Sequence, residues 1–273
     1  MAARQAATVI VLRDTAAGPE VFLMRRVRTM AFAAGMHVFP GGSVDDDDFA
    51  VPINGLSSAD RTALDVRLSA TAGLGAALLA AAARETFEEC GVLLALPDNQ
   101  SVDVALATGF DRWSQRRQSL IDKDRTFSQL LIGDELGIDS SAIRPWSHWV
   151  TPEVEPRRFD TRFFVAALPA HQDAHDLGGE ADSVEWVRPA QALERHSRGE
   201  LAMLLPTAAT LESLTPFESS AQVMAAADSR SIRPLMPAPV GDGEQWHIVD
   251  ERTREVVQQL DFSPLLEHRG INQ

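Results

Sequence analysis

The sequence predicts an α/β (α+β) fold in which strands stand both before and after one long amphipathic helix. Three observations carry this. Two β-rich runs, residues 7–13 and 20–25, flank the turn-forming stretch Asp14-Thr15-Ala16-Ala17-Gly18-Pro19, the pattern of a hairpin. From Leu74 to Cys90, the residues Leu79, Ala83, Phe87 and Cys90 recur at near-helical spacing, giving a stripe to bury against a sheet while the other face stays polar. Strand patterns at 147–151, 162–167 and 183–188 then lead into a short helix over 189–198.

The remaining elements follow in chain order. Gly91 stops the long helix, and residues 92–96 read as a strand running to Pro97. Residues 101–137 have a helical pattern and are unusually polar around Arg112, Arg116, Arg117, Lys123 and Arg125, which suits a lid or the contact element of a homodimer. A helical extension starts at Leu205. Gly241-Asp242-Gly243 with the runs 246–249 and 255–260 predicts a terminal hairpin at a sheet edge. A chain of 273 residues with 45% hydrophobic content fits one core with helical additions better than two full domains.

Charge and cysteine content narrow the partners. The formal net charge of −14 argues against nucleic acid, whose phosphates are gripped by clustered Lys and Arg. The single cysteine, Cys90, excludes an internal disulfide and a Cys-rich zinc site, and its place on the helix reads as a small buried residue rather than a nucleophile. No basic segment followed by a long apolar run opens the chain, and no stretch approaches the roughly 18 apolar residues of a membrane span. The expectation is a cytoplasmic protein without a membrane partner.

Residues 84–92 read Arg-Glu-Thr-Phe-Glu-Glu-Cys-Gly-Val. Each helical residue advances about 100°, so Glu85, Glu88 and Glu89 fall within an arc of about 100°. Carboxylates this close resist joint ionisation unless a cation sits among them, and oxygen donors suit Mg2+ or Mn2+. Arg84, four residues before Glu88, carries a planar fork able to hold a carboxylate in one orientation. A solvated acidic face is the competing reading of any Glu-rich helix. Residue order favours the metal site.

That order resembles the second half of the Nudix box, G-x5-E-x7-R-E-U-x-E-E-x-G-U, with U a bulky apolar residue. Arg84, Glu85, Glu88, Glu89, Gly91 and Val92 fit, and Thr86 departs at the first U. Upstream, Phe39-Pro40-Gly41-Gly42 resembles the turn that opens the box. The resemblance implies a mixed sheet sandwiched between helices. It also implies a catalytic domain over 1–204, with 205–273 as a helical and hairpin extension packed on the same core. Arg84 follows Gly42 by 42 residues where the pattern has 14, so about 28 residues are inserted. The stretch from 50 to about 71, with Ser57-Ser58-Ala59-Asp60 ahead of Leu64 and Leu68, reads as a helix packed above the site. The box's first Glu is absent by count from either side. Asp48, six residues past Gly42, either replaces it or belongs to a solvated acidic loop with Asp45, Asp46 and Asp47.

Split boxes of this kind resemble a subgroup that includes the peroxisomal coenzyme A diphosphatases. Of their signature L-L-T-x-R-[SA]-x3-R-x3-G-x3-F-P-G-G, Arg26, Gly35 and Phe39 to Gly42 are in place, whereas Val27 and Ala31 stand where a small residue and a second arginine belong. The implied reaction is hydrolysis of a nucleoside diphosphate linked to another group, possible substrates being coenzyme A or its acyl derivatives. ADP-ribose or a nucleotide sugar is the alternative substrate, and a non-catalytic nucleotide sensor the alternative class. The implied roles are metal ligation by Glu85, Glu88 and Glu89 with Mg2+ or Mn2+, and catalysis by Glu85, Arg84 and the downstream Glu180, with Glu185 as the weaker choice for that last place. Substrate binding falls to Arg26, Gly41, Gly42, Arg157 and Arg158, with Arg162 as a further phosphate clamp. His171, Asp173, His175 and Asp176 have a metal-like composition but read as an exposed loop.

Overall fold

Alternating burial along the first two strands organises the molecule. In the computed structural model, which describes residues 2–29, 33–97, 110–175, 181–240 and 245–260, strands β1 (Arg4–Thr15) and β2 (Gly18–Arg26) form the expected hairpin, with Leu12 opposite Val21 and Thr15 opposite Gly18. Val9, Val11, Phe22 and Met24 enter one hydrophobic core, while Ile10, Leu12, Val21 and Leu23 enter another on the opposite face. Both faces of the sheet are therefore covered.

The first core is closed by α2 (Leu74–Cys90), flanked by α1 (Ser58–Arg67), α3 (Phe110–Ile121) and α4 (Phe127–Gly133). The second is closed by α5 (Pro189–Ser197), α6 (Leu205–Leu214) and α7 (Ser220–Ser229). Between them lies a mixed sheet. Short strands β3 (His37–Val38) and β4 (Gly41–Ser43) pair with β2 and β1. A small second sheet holds β5 (Ile53–Asn54), β6 (Ala95–Pro97) and β7 (Leu136–Asp139). The main sheet is completed by β8 (Ile143–Val150), β9 (Phe159–Ala167), β10 (Ala181–Val187), β11 (Pro234–Val240), β12 (Gln245–Asp250) and β13 (Val256–Leu260), in the order β10-β2-β1-β9-β8-β11-β12-β13. The β1–β9 and β8–β11 pairs are parallel. This is the mixed α+β sandwich expected.

Several local expectations shift. The strand placed at 92–96 begins only at Ala95, because the Gln172 side chain bonds both the Leu93 N–H (2.8 Å) and its carbonyl (2.9 Å) in place of a neighbouring strand. The terminal hairpin pairs as β12 and β13 across residues 251–255, whereas Gly241-Asp242-Gly243 falls between β11 and β12 and lies outside the described residues. Strand β11 is additional. Its prolines argue against a ladder, but β8 pairs it only at Pro234 and Leu235, leaving Pro237 and Pro239 with no partner on that side among the described residues.

The inserted helix forms where expected, capped by a reciprocal Ser57–Asp60 box, but it does not lie above the acidic face. It packs at the opposite end of α2. Asp65 accepts the N–H groups of Gly73 (2.8 Å) and Gly75 (2.6 Å), placing a carboxylate on the positive end of α2. Removing both bonds in Asp65→Ala is expected to lower the unfolding free energy by about 1 to 2 kcal/mol in urea titration. An unchanged midpoint and slope would show that the insertion does not anchor the long helix.

Candidate active site

The site is assembled from β4, the loop after it and the C-terminal half of α2. Arg84, 5% exposed, is the hub. Its Nε and Nη2 bond the two oxygens of Asp48 at 2.9 and 3.0 Å, Nη1 bonds Glu85 Oε1 at 2.7 Å, and Nη2 also reaches the Ser43 carbonyl at 2.8 Å. Glu88 Oε1 lies 3.6 Å from Nη1. On the next turn, Glu89 Oε2 accepts the Gly41 N–H at 2.7 Å.

Both glycines of the turn are required by close approach. A Cβ on Gly42 would stand 2.5 Å from Glu85 Cδ, and one on Gly41 would stand 2.7 Å from Thr8 Cα. Thr86, the departure from an apolar residue, is fully buried and donates its hydroxyl to the Ala82 carbonyl at 2.7 Å, so its polar group costs little there. Cys90 is buried and its thiol is pushed up to about 12 by burial, which excludes a thiolate nucleophile at neutral pH.

The acidic tract is not one solvated loop. Asp48 is buried against Arg84 and also accepts the Asp45 N–H at 2.8 Å. It thus stands at the count of the missing box Glu, with both oxygens committed to the protein. Asp47 accepts the Ser128 N–H (3.0 Å) and hydroxyl (2.6 Å), fixing the start of α4. Asp45, by contrast, has a side chain 67% exposed.

Asp45, Asp47, Arg84, Glu85, Glu88 and Glu89 line a cavity of about 520 Å³ whose apolar wall includes Met24, Leu120 and Phe127. Burial, reinforced by Glu88 and opposed by Arg84, pushes the Glu85 carboxyl up to about 7. Burial raises Glu88 as well. Such crowding favours a cation, and the all-oxygen donor set fits a hard divalent ion. Among the described residues no three acidic, His or Cys side chains converge around one point as they stand, because Arg84 and Gly41 hold the carboxylate oxygens. Loading would require those oxygens to turn from these partners.

The structure separates the other candidates. Arg26 continues the Met24 face of β2 beside the cavity-lining Ala181, and its Nε is buried with no hydrogen-bond partner among the described residues. Arg157 is exposed and Arg158 bonds the Thr151 carbonyl at 3.0 Å; neither lines the cavity. Arg162 is not a phosphate clamp: at 1% exposure it bonds Asp160, Gln5 and the Leu68 and Ser69 carbonyls. Glu180 lies outside the described residues, as does Asp176. Glu185 is committed to Arg195 at 2.5 Å. His175 and Asp173 stand 3.8 Å apart, away from the cavity lining.

One residue of the site carried no sequence signal beyond its polarity. Arg117, 3% exposed on α3, donates to the Phe87 carbonyl at 2.9 Å and to the Glu88 carbonyl, satisfying the C-terminal carbonyls of α2 beneath Glu88 and Glu89. Segment 101–137 thus supplies a wall of the cavity over its described part.

This geometry coincides with a match to the family model described as the NUDT19 Nudix domain, which spans residues 3–212. The chain belongs to the Nudix hydrolase family. It is 28% identical over 228 residues to the acyl-coenzyme A diphosphatase NUDT19 of Xenopus laevis, covering 72% of this chain and 60% of that protein. The human protein of the same name is 29% identical over 238 residues, covering 75% and 62%. The chain therefore spans a little under two thirds of the length of these curated relatives. A crystal structure of a Nudix hydrolase from Alicyclobacillus acidocaldarius superposes with a TM-score of 0.66 at 30% identity, covering 82% of this chain and 96% of that one.

Two outcomes test the Nudix site itself. Asp48→Ala leaves a buried guanidinium short of its main partner and should cost about 3 to 5 kcal/mol in urea unfolding. Performing this in chelator ensures that a lost metal ligand cannot produce the effect. Because Glu85 sheds its proton near pH 7, Mn2+ should bind more tightly as pH rises through about 7, and Glu85→Gln should flatten that rise. Calorimetric titration at pH 6 and 8 measures both; a pH-independent affinity in the parent would refute the assignment.

Proposed function

We propose that the protein is a divalent-metal-dependent diphosphatase acting on coenzyme A or its acyl derivatives. The observation that carries the reaction class is the cavity wall in which Glu85, Glu88 and Glu89 sit against Arg84 and the Gly41-Gly42 turn. The relatives named acyl-coenzyme A diphosphatases support the substrate, as does Arg26, which pairs across the sheet with the cavity-lining Ala181.

Glu85, Glu88 and Glu89 would hold Mg2+ or Mn2+. The ion supplies charge neutralisation of the phosphate oxygens and acidifies a water. Glu85, lining the cavity beside the site of the ion, would accept a proton from the attacking water. Water adds to one phosphorus, the bridging P–O bond breaks, and the second phosphate leaves with the bridging oxygen. Arg84 would hold Glu85 at the cavity wall, and Arg26 would pair with a substrate phosphate.

For coenzyme A the products should be phosphopantetheine and 3′,5′-ADP, identified by mass spectrometry. Activity should vanish in chelator and return with Mg2+ or Mn2+, and Glu89→Gln should lower turnover about 100-fold or more. Arg26→Ala should reduce kcat/KM for coenzyme A about 10- to 150-fold. Full activity after metal removal, or efficient ADP-ribose cleavage with no coenzyme A turnover, would overturn the proposal.

A further inference from the structure

A diphosphate substrate approaching this cavity meets carboxylates on most sides, in a chain of formal charge −14. Of the lining cations, Arg84 spends its donors on Asp48, Glu85 and the Ser43 carbonyl. Lys123 and Arg125 are the other two. Both are exposed on the turn joining α3 to α4, and neither makes an ion pair among the described residues. Asp122 and Asp124 alternate with them but do not line the cavity, so the inward side of the turn is cationic.

The turn is built to hold this arrangement. The Lys123 N–H bonds the Leu120 carbonyl at 3.0 Å and the Asp124 N–H bonds the Ser119 carbonyl at 2.9 Å, the paired bonds of a helix terminus that normally places glycine at the first of these positions. Here Lys123 occupies it with φ of 60°, a conformation that disfavours a lysine side chain. A residue kept in that region against its preference points to use of its side chain. Both flanking helices are pinned: Arg116 bonds Asp134 at 2.7 and 2.8 Å, Arg117 caps α2, and Asp47 grips Ser128.

We propose that Lys123 and Arg125 form a subsite for a phosphate monoester carried by the substrate at a distance from its scissile diphosphate. The inference rests on the diphosphatase reading above, because the scissile group must lie against the box glutamates and so leaves the rim cations for another anion. Two adjacent cations match a dianion with three acceptor oxygens, and the arginine fork adds directional bonds. The subsite selects nucleotides bearing such a group over those without it.

The test compares coenzyme A with dephospho-coenzyme A, which differ by one 3′-phosphate, in the parent and in Lys123→Gly/Arg125→Gln. Glycine suits the backbone at 123, so the melting temperature should not fall. The parent should prefer coenzyme A, and the double variant should shrink that preference about 10-fold or more in kcat/KM. An absent preference in the parent, or an equal fall for both substrates, overturns the proposal. If the parent cleaves neither, the diphosphatase reading fails on its own, and calorimetric binding of 3′,5′-ADP against AMP decides the subsite. A parental preference for 3′,5′-ADP that the double variant loses supports it; equal affinities overturn it.

Discussion

The Arg84–Asp48 pair joins the two halves of the catalytic motif, and the rest of the site follows from where the Arg84 donors go. A guanidinium held at 5% exposure must be matched on nearly every side. Asp48 takes two bonds, Ser43 one and Glu85 one, so a single side chain locks the loop after β4 to the helix that carries the glutamates. Burial works against the Arg84 charge, but the surrounding carboxylates outweigh it and hold it protonated. Glu85 and Glu88 are consequently anchored by a fixed cation in the ligand-free site.

The same crowding determines the electrostatics. Burial lifts Glu85 and Glu88 above the ordinary carboxylate range, and Arg84 only partly offsets it. Asp47 moves the other way despite its own partial burial, because Ser128 donates two bonds to its ionised form. The acids of the 45–48 tract therefore divide by their hydrogen-bond donors: Ser128 and Arg84 tie Asp47 and Asp48 into the frame, while the Asp45 side chain stays mostly exposed.

Much of this was legible in the sequence. The hairpin, the long helix with Phe87 and Cys90 inward, and the glutamate wall follow from periodicity and residue order, since each depends on neighbours close along the chain. What was not legible depends on distant partners. Arg162 resembles any loop arginine until β9 carries it beneath the end of the insertion, where the Leu68 and Ser69 carbonyls need donors. Asp47 and Asp48 are alike in sequence, and only the arrival of Ser128 and Arg84, 81 and 36 residues further on, distinguishes them. Strand β11 was hidden by its prolines, which are tolerated because its pairing with β8 covers only Pro234 and Leu235, at the start of the strand, and ends before Pro237 and Pro239.

The insertion divides the motif in sequence without dividing it in space. Lengthening the connection between acid and arginine from 8 residues to 36 adds roughly 1 kcal/mol of loop-closure entropy, a cost small enough for local contacts to offset. Those contacts are present: Asp65 caps the N-terminus of α2, and Arg162 binds the carbonyls that follow α1. The detour therefore ends by anchoring the far end of the helix whose near end bears the glutamates, while Arg117 and Gly91 secure that near end. Held at both termini, and carrying the small buried side chains Ala80 to Ala83 that let it lie close to the sheet, α2 has little freedom to shift. The Asp48–Arg84 pairing thus forms across the insertion, joining residues that sequence spacing alone would set apart.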